Sequence, residues 1–95
     1  MSGYVIAQIN IVNENAYKEY LKNVNETVKK FNGEYIIRGG EFKTMLGNWD
    51  YERTVVIKFS SYEIAIKWYN SSEYLPVKKI REDNSKGNLI IINGT

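Results

Sequence analysis

The residues best suited to chemistry lie around a glycine-rich connection in the middle of the chain. It begins with Arg38-Gly39-Gly40 and continues through Gly47 and Trp49 to Arg53. Guanidinium groups suit bidentate recognition of carboxylates, and flat aromatic rings can wall a pocket. Paired glycines let the backbone bend close to a ligand. The segment therefore predicts a site for a small organic or anionic molecule, with Arg38 and Arg53 at a common cavity.

Tyr69 and Tyr74, later in the chain, are candidates for further flat walls of this cavity. We expect at least one of them to border it together with Trp49. A structural role is the alternative, because arginines near a hairpin often pair with acids and a tryptophan after a turn often fills the edge of a core. The nearby acids are Glu34, Glu41 and Glu52.

The composition excludes several kinds of catalytic and metal site. The chain has no His and no Cys, so it forms no disulfide, thiol nucleophile or thiolate metal site. Acid–base catalysis would then need a buried Glu, Asp, Lys or Tyr whose pKa moves toward neutrality. Eight tyrosines are available, although Tyr17, Tyr20 and Tyr69 are more simply explained as core residues. We expect no metal and no cofactor, and enzymatic activity stays undecided.

Apolar periodicity predicts a strand, a helix, two strands, an interrupted helix and a final strand, all in a single domain, residues 1–95. Asn13 is a typical N-cap for the first helix, and Gly33 lies where its C-terminal cap belongs. The capping-box sequence Ser60-Ser61-Tyr62-Glu63 predicts the start of the second helix. The predicted strands are Tyr4–Ile11, Tyr35–Arg38 with Glu41–Leu46 as a candidate continuation, Glu52–Phe59 and Asn88–Asn93, and the later helical stretches end near Tyr69 and Asp83.

Glycines mark the expected irregularities. Gly39 and Gly40 predict a bulge or bend after the second strand, and Gly47-Asn48 predicts the turn of an antiparallel hairpin. Lys86-Gly87 is expected to end the last helix.

This order of elements is that of the α+β ferredoxin-like plait, with both helices on one face of an antiparallel sheet. The uncovered face should then carry Tyr4, Ile6, Val56 and Met45. Apolar patches of this kind commonly mark protein contacts. The sequence predicts a homodimer formed through the open sheet faces, with a wetted amphipathic face as the alternative.

Charge and hydropathy argue against nucleic acid and membrane as partners. The net charge is only +2, and the basic stretches Lys29-Lys30 and Lys78–Arg81 are too short to form a stripe for nucleic acid. The strand Glu52–Phe59 also lacks the glycine–aromatic pattern with which RNA-recognition modules stack bases. The first residues show neither a signal peptide nor a long apolar run, so we expect a cytoplasmic location.

The order and spacing of several short motifs resemble the family called domain of unknown function 1330, over nearly the whole chain. These motifs are Gly3-Tyr4, Tyr17 and Tyr20, Arg38-Gly39-Gly40, Gly47 and Trp49, Arg53 before a Val-Val-Ile run, Trp68-Tyr69-Asn70-Ser71, Glu73-Tyr74 and Arg81. The resemblance implies a subunit of the dimeric alpha-beta barrel superfamily, in which two open sheets close against each other. It also implies a ligand site that contains Arg38, Trp49, Arg53, Tyr69 and Arg81.

Relatives in that superfamily include cofactor-free monooxygenases and haem proteins, but without His this chain offers no histidine axial ligand for haem. Leu46 replaces a glutamate, Tyr51 a proline and Ser72 part of a Ser-Pro-Glu-Tyr motif that are common in the family, so a family activity could be altered here. The expected function is a homodimer that binds a small organic or anionic molecule. A cofactor-independent, monooxygenase-like enzyme and a purely structural or regulatory dimer are the alternatives.

Overall fold

The computed structural model describes residues 1–95 as a four-stranded antiparallel sheet with three helices packed on one face. Along the sheet the strands lie in the order β2-β3-β1-β4. The elements are β1 (Gly3–Ile11), α1 (Glu14–Lys30), β2 (Glu34–Arg38), β3 (Arg53–Phe59), α2 (Tyr62–Tyr69), α3 (Leu75–Asn84) and β4 (Ser85–Asn93). The predicted ferredoxin-like α+β fold is confirmed. No helix is both long and apolar enough to cross a membrane.

The first helix begins as the sequence indicates, but its C-terminus differs. The Asn13 side chain accepts a hydrogen bond from the Ala16 backbone N–H at 3.1 Å. At the other end Asn32, not Gly33, takes the left-handed conformation, with φ of 58°. Gly33 is instead required for packing, because a β-carbon there would lie 2.7 Å from side-chain atoms of Phe59 and Val28.

The later helices also begin and end at slightly different residues from those predicted. Ser61, not Ser60, is the N-cap of α2, and its hydroxyl accepts from the Ile64 N–H at 3.2 Å. β4 follows α3 directly at Ser85, so Lys86-Gly87 lies inside a strand and does not end the helix. Gly87 is needed there because any β-carbon would collide with the Gln8 carbonyl oxygen of β1.

The connection between β2 and β3 contradicts one prediction. Residues 41–46 do not continue the strand, and residues 39–52 form a loop without regular structure. Gly39 and Gly47 have φ of 71° and 73°, so they turn the chain away from the sheet at conformations that other residues rarely adopt. The irregularity in β2 pairing lies between Tyr35 and Ile37, before the glycines where the bulge was expected.

The core lies between the helices and the inward face of the sheet, and aromatic side chains dominate it. Trp68, Tyr74 and Phe59 are its largest fully buried residues, and the rings of Trp68 and Tyr74 lie 4.2 Å apart between centroids. Their polar atoms find partners inside the core. The Trp68 indole donates to the Thr27 hydroxyl at 3.0 Å, and the hydroxyls of Tyr20 and Tyr74 bond to each other at 2.9 Å.

The buried pair of tyrosines predicts a measurable coupling. Tyr20→Phe or Tyr74→Phe alone removes one hydroxyl and leaves the other buried without this partner, which should cost about 1–3 kcal/mol. In the double variant no unpaired hydroxyl remains, so its loss in free energy of unfolding should be smaller than the sum of the single losses. Urea unfolding measures all three, with Tyr62→Phe as a control expected to stay within about 0.5 kcal/mol of the unsubstituted protein. Additive losses would contradict the coupling.

Candidate functional site

All three arginines of the chain line one cavity between α1 and the inward face of the sheet. We call it the arginine cavity, and its free volume is about 30 Å³. The chain's other cations are ten lysines, and none of them lines it. Its polar lining consists of Arg38, Arg53, Arg81, Tyr17, Tyr20 and Tyr35.

The pairing of the strands explains how two of these arginines reach the helix-covered side. Arg53 lies opposite Ile9 and two residues before Val55, so it shares the inward face of β3 with the core residues of that strand. In a regular strand Arg38 would lie on the opposite face from Tyr35. The irregularity between Tyr35 and Ile37 places Arg38 opposite Val55, which packs against the core, so the bulge returns Arg38 to the inward side. Its guanidinium carbon lies 4.3 Å from the centroid of the Tyr35 ring.

Gly39 determines where the Arg53 guanidinium can lie. A β-carbon at Gly39 would collide with the Arg53 guanidinium and lie 2.8 Å from its central carbon. Gly39 also has a positive φ, which a residue with a side chain adopts only with strain. Glycine at this position therefore serves both the turn out of β2 and the close approach of Arg53.

The third arginine comes from the last helix. Arg81 lies near the C-terminus of α3, and its guanidinium donates a long hydrogen bond of 3.4 Å to the Tyr69 hydroxyl. It lies 5.9 Å from the centroid of the Tyr69 ring. Because α3 packs across α1, this places a cation from one end of the chain beside two from the middle.

No carboxylate balances these three charges. The structure contains two ion pairs, Lys30–Glu73 and Lys79–Asp83, and neither involves an arginine. The pairing of Arg38 or Arg53 with nearby glutamates, which a structural role predicted, does not form. The Nε atom of Arg53 is buried and has no hydrogen-bond partner. A buried donor without a partner is costly, so such a group requires an explanation.

The tyrosines around the cavity stay neutral at physiological pH. Burial raises the pKa of Tyr17, although the charges of Arg53, Arg81 and Arg38 act in the opposite direction. Burial likewise raises the pKa of Tyr35, and it raises that of Tyr20 well above the usual value. The polar lining therefore combines permanent cations with neutral phenols and contains no anion. Such an arrangement can donate hydrogen bonds to an anion, but it lacks a ready general base.

Trp49, Tyr69 and Tyr74 do not wall this cavity, contrary to the expected arrangement. Tyr74 is 0% exposed in the core. Tyr69 borders a neighbouring open cavity of about 460 Å³ with Arg81, which we call the polar cavity. Trp49 lies on the other face of the sheet, where its indole donates to the Thr54 hydroxyl at 3.1 Å.

Trp49 belongs to a third cavity of about 680 Å³, the loop cavity, which residues 40–46 form against Ile36, Ile37 and Thr54. Arg38 borders both the loop cavity and the arginine cavity. Leu46, one of the three departures from the family pattern noted in the sequence, lines the loop cavity and is 94% exposed. That departure therefore falls outside the arginine cavity.

Sequence reasoning missed Tyr17, Tyr20 and Tyr35 as lining residues. Tyr17 and Tyr20 share the helical spacing of the core positions, and both are in fact part of the core. Tyr35 occupies an inward-facing position of β2, opposite Ile57, as the alternation of the strand predicts. Nothing in these patterns separates a tyrosine that only packs from one that also borders a cavity.

The sheet order and helix placement are those of a ferredoxin-like α+β protein, and solved structures of this class are similar over almost the whole chain. One is a protein of unknown function from Rhodopseudomonas palustris (TM-score 0.74, 13% identity, 99% of this chain and 82% of that chain). Another is a dimeric ferredoxin-like protein of unknown function from Jannaschia sp. (TM-score 0.69, 10% identity, 100% and 99%). A third is SnoaB, a cofactor-independent oxygenase from Streptomyces nogalater (TM-score 0.65, 8% identity, 99% and 93%). At these identities the likeness shows the fold alone.

The chain belongs to the family described as Domain of unknown function (DUF1330), which matches residues 2–95. The resemblance seen in the sequence motifs is thereby confirmed. A comparison with curated proteins finds no match.

The unbalanced charge predicts that one arginine can be lost without loss of stability. Replacing Arg53 by Met keeps most of the side-chain length, removes a buried unpaired donor and relieves repulsion among the guanidinium groups. We expect a free energy of unfolding equal to that of the unsubstituted protein or higher by about 1 kcal/mol. Urea unfolding at low salt measures this, with Lys22→Met on the exposed face of α1 as the control for net charge. A loss above about 1 kcal/mol relative to that control would assign Arg53 a structural role.

Proposed function

We propose that this protein is a homodimer that binds a small anionic organic molecule in the arginine cavity. One observation carries the proposal: every arginine of the chain lines this space, and no carboxylate balances them. Arg38 is exposed, but Arg53 and Arg81 are half-buried, and three like charges that converge beside buried phenols repel one another. An anion bound among the guanidinium groups would remove that repulsion.

The choice of arginine also supports an anionic ligand. Guanidinium groups are always charged, more weakly hydrated than ammonium groups and able to bind a carboxylate through two parallel hydrogen bonds. A charge-assisted hydrogen bond contributes roughly 1.5–3 kcal/mol, so one such contact can change affinity by about a factor of ten or more.

Small carboxylates test this proposal directly. Acetate and propanoate should bind and shift amide and Arg53 Nε resonances, while acetamide and propanamide, which have the same shape without charge, should not. Arg38→Met, Arg53→Met and Arg81→Met should each weaken carboxylate binding about tenfold or more, which corresponds to ~1.4 kcal/mol per decade. NMR titration measures the dissociation constants, and Lys22→Met is the matched control for net charge. Equal binding of acetate and acetamide, or unsubstituted affinity in all three arginine variants, would contradict the site.

The sheet face that the helices leave uncovered supports the homodimer. Strand pairing aligns four apolar side chains in one row across the whole sheet: Ile37, Val56, Ile6 and Ile90. Tyr4 and Ile92 pair one step further along β1 and β4 and widen the row. Ile37, Ile90 and Ile92 are about half exposed, at 43%, 53% and 47%. Because a two-fold axis would bring this apolar row against the same row of a second copy, a symmetric dimer would cover it.

A charge in the middle of this row should weaken the dimer. We expect the unsubstituted protein to sediment at twice the 11.1 kDa of the chain and to bury at least ~1,200 Å² in its interface. Val56→Asp places a carboxylate in the apolar contact and should shift the protein toward monomer. Lys22→Asp, which adds an acid to an exposed position of α1, is the control and should leave the dimer intact. A monomeric unsubstituted protein, or an unchanged Val56→Asp dimer, would disprove the interface.

A cofactor-independent enzyme is the second candidate. Positive groups that line a partly enclosed space can stabilise an oxyanion that forms on a substrate, and this is a common source of catalysis. The similar fold of a cofactor-independent oxygenase makes oxygen uptake with an enolisable substrate a reasonable assay. A purely structural or regulatory dimer is the reading that remains if the interface test succeeds and no carboxylate binds.

A further inference from the structure

The size of the arginine cavity restricts what part of a ligand it can hold. Its free volume is about 30 Å³. A site needs roughly 10–15 Å³ on this kind of measure to hold one water molecule, so the cavity has room for about two or three heavy atoms. A carboxylate group can place its oxygens there, but the rest of any organic ligand must lie in an adjoining space.

Two larger spaces adjoin the arginine cavity, and they differ in position. The polar cavity shares both Ile9 and Arg81 with it. The loop cavity shares Arg38 but lies against outward-facing residues of the sheet, including Ile37 and Thr54. A second copy packed on the uncovered face would lie over the loop cavity. The polar cavity therefore offers the route that stays open in the proposed dimer.

The lining of the polar cavity is mostly hydrophilic. Six of its residues carry polar side chains, namely Tyr69, Arg81, Glu82, Ser85, Lys86 and Asn88. Some of these groups already have partners, because Arg81 donates to Tyr69 and the Ser85 hydroxyl donates to the Arg81 carbonyl oxygen at 2.6 Å. Glu82 is the one carboxylate that lines the cavity, and it takes part in neither ion pair. It is therefore free to accept a hydrogen bond from a ligand.

From this arrangement we infer the class of ligand: a small carboxylate that carries a hydroxyl or amino group close to its carboxyl group. The inference rests on the proposed function. The carboxylate lies among Arg38, Arg53 and Arg81, and the ligand's donor group lies in the polar cavity and pairs with Glu82. The Glu82 side chain is exposed and can pair with a ligand's donor group, whereas a simple fatty acid or an aromatic acid would offer it no donor and would find few apolar walls in the polar cavity.

Lactate and propanoate provide the test because they differ only by one hydroxyl group. In NMR titrations of the unsubstituted protein we expect lactate to bind at least threefold more tightly than propanoate. Lactate should also shift resonances of Tyr69 and Ser85. Glu82→Ala should abolish the preference and bring the ratio of the two dissociation constants close to one. Asp83→Ala, which removes the neighbouring acid of the same helix that pairs with Lys79, should leave the ratio unchanged.

The possible outcomes distinguish a wrong ligand class from a wrong anion site. If both acids bind with the same affinity and all three arginine variants weaken them, the anion site stands and the inferred ligand class is wrong. Tighter binding of propanoate would also overturn the inferred ligand class. Shifts centred on the Trp49 indole would overturn it as well, because they would place the body of the ligand in the loop cavity. If neither acid binds in an arginine-dependent way, the proposed function fails and the ligand class fails with it.

Discussion

Three guanidinium groups share a space from which every carboxylate is absent, and the surrounding structure is adapted to that unbalanced charge. Arg38 lies over the face of the Tyr35 ring, where the negative quadrupole of the ring attracts it. The phenols nearby stay neutral, because burial opposes their ionisation. Gly39 gives the Arg53 guanidinium the space it needs. Each of these features lowers the cost of holding the cations together, yet none supplies a negative charge. This unbalanced charge is what the proposed anion would neutralise.

The one-sided packing of the sheet separates this site from the proposed contact between two copies. Strict alternation sends one set of side chains to the helices and the other to the uncovered face. A single irregularity in β2 changes that assignment for Arg38. Without it, Arg38 would extend from the uncovered face and the arginine cavity would contain two cations. The bulge therefore decides whether two or three cations line the proposed site.

Local patterns in the sequence were sufficient for the order of the elements, for the uncovered apolar face and for the placement of Arg38 and Arg53 at one cavity, whereas Arg81 was implied only by the family resemblance. They failed where long-range contacts decide the geometry. The loop of residues 39–52 is held by the hydrogen bond from the Glu52 N–H to the Asn10 side chain at 2.6 Å and by the contact of Trp49 with Thr54. Both anchors lie on the uncovered face, so Trp49 is carried away from Arg53 although the two are close in sequence. Tyr74 was misassigned for a related reason, because its hydroxyl partner, Tyr20, lies far away along the chain.

The end of β2 lies between the proposed anion site and the proposed dimer interface. Arg38 borders both the arginine cavity and the loop cavity, and Gly39, which begins the loop, packs against the Arg53 guanidinium. A second copy that covered the uncovered face would contact the loop and so restrict both residues. Any change in anion affinity that follows from dimer formation must be matched by an equal effect of the anion on dimer affinity, because coupling between two binding equilibria is reciprocal. A site whose arginines are positioned by a loop at the proposed interface is thus expected to depend on the assembly as well as on the single chain.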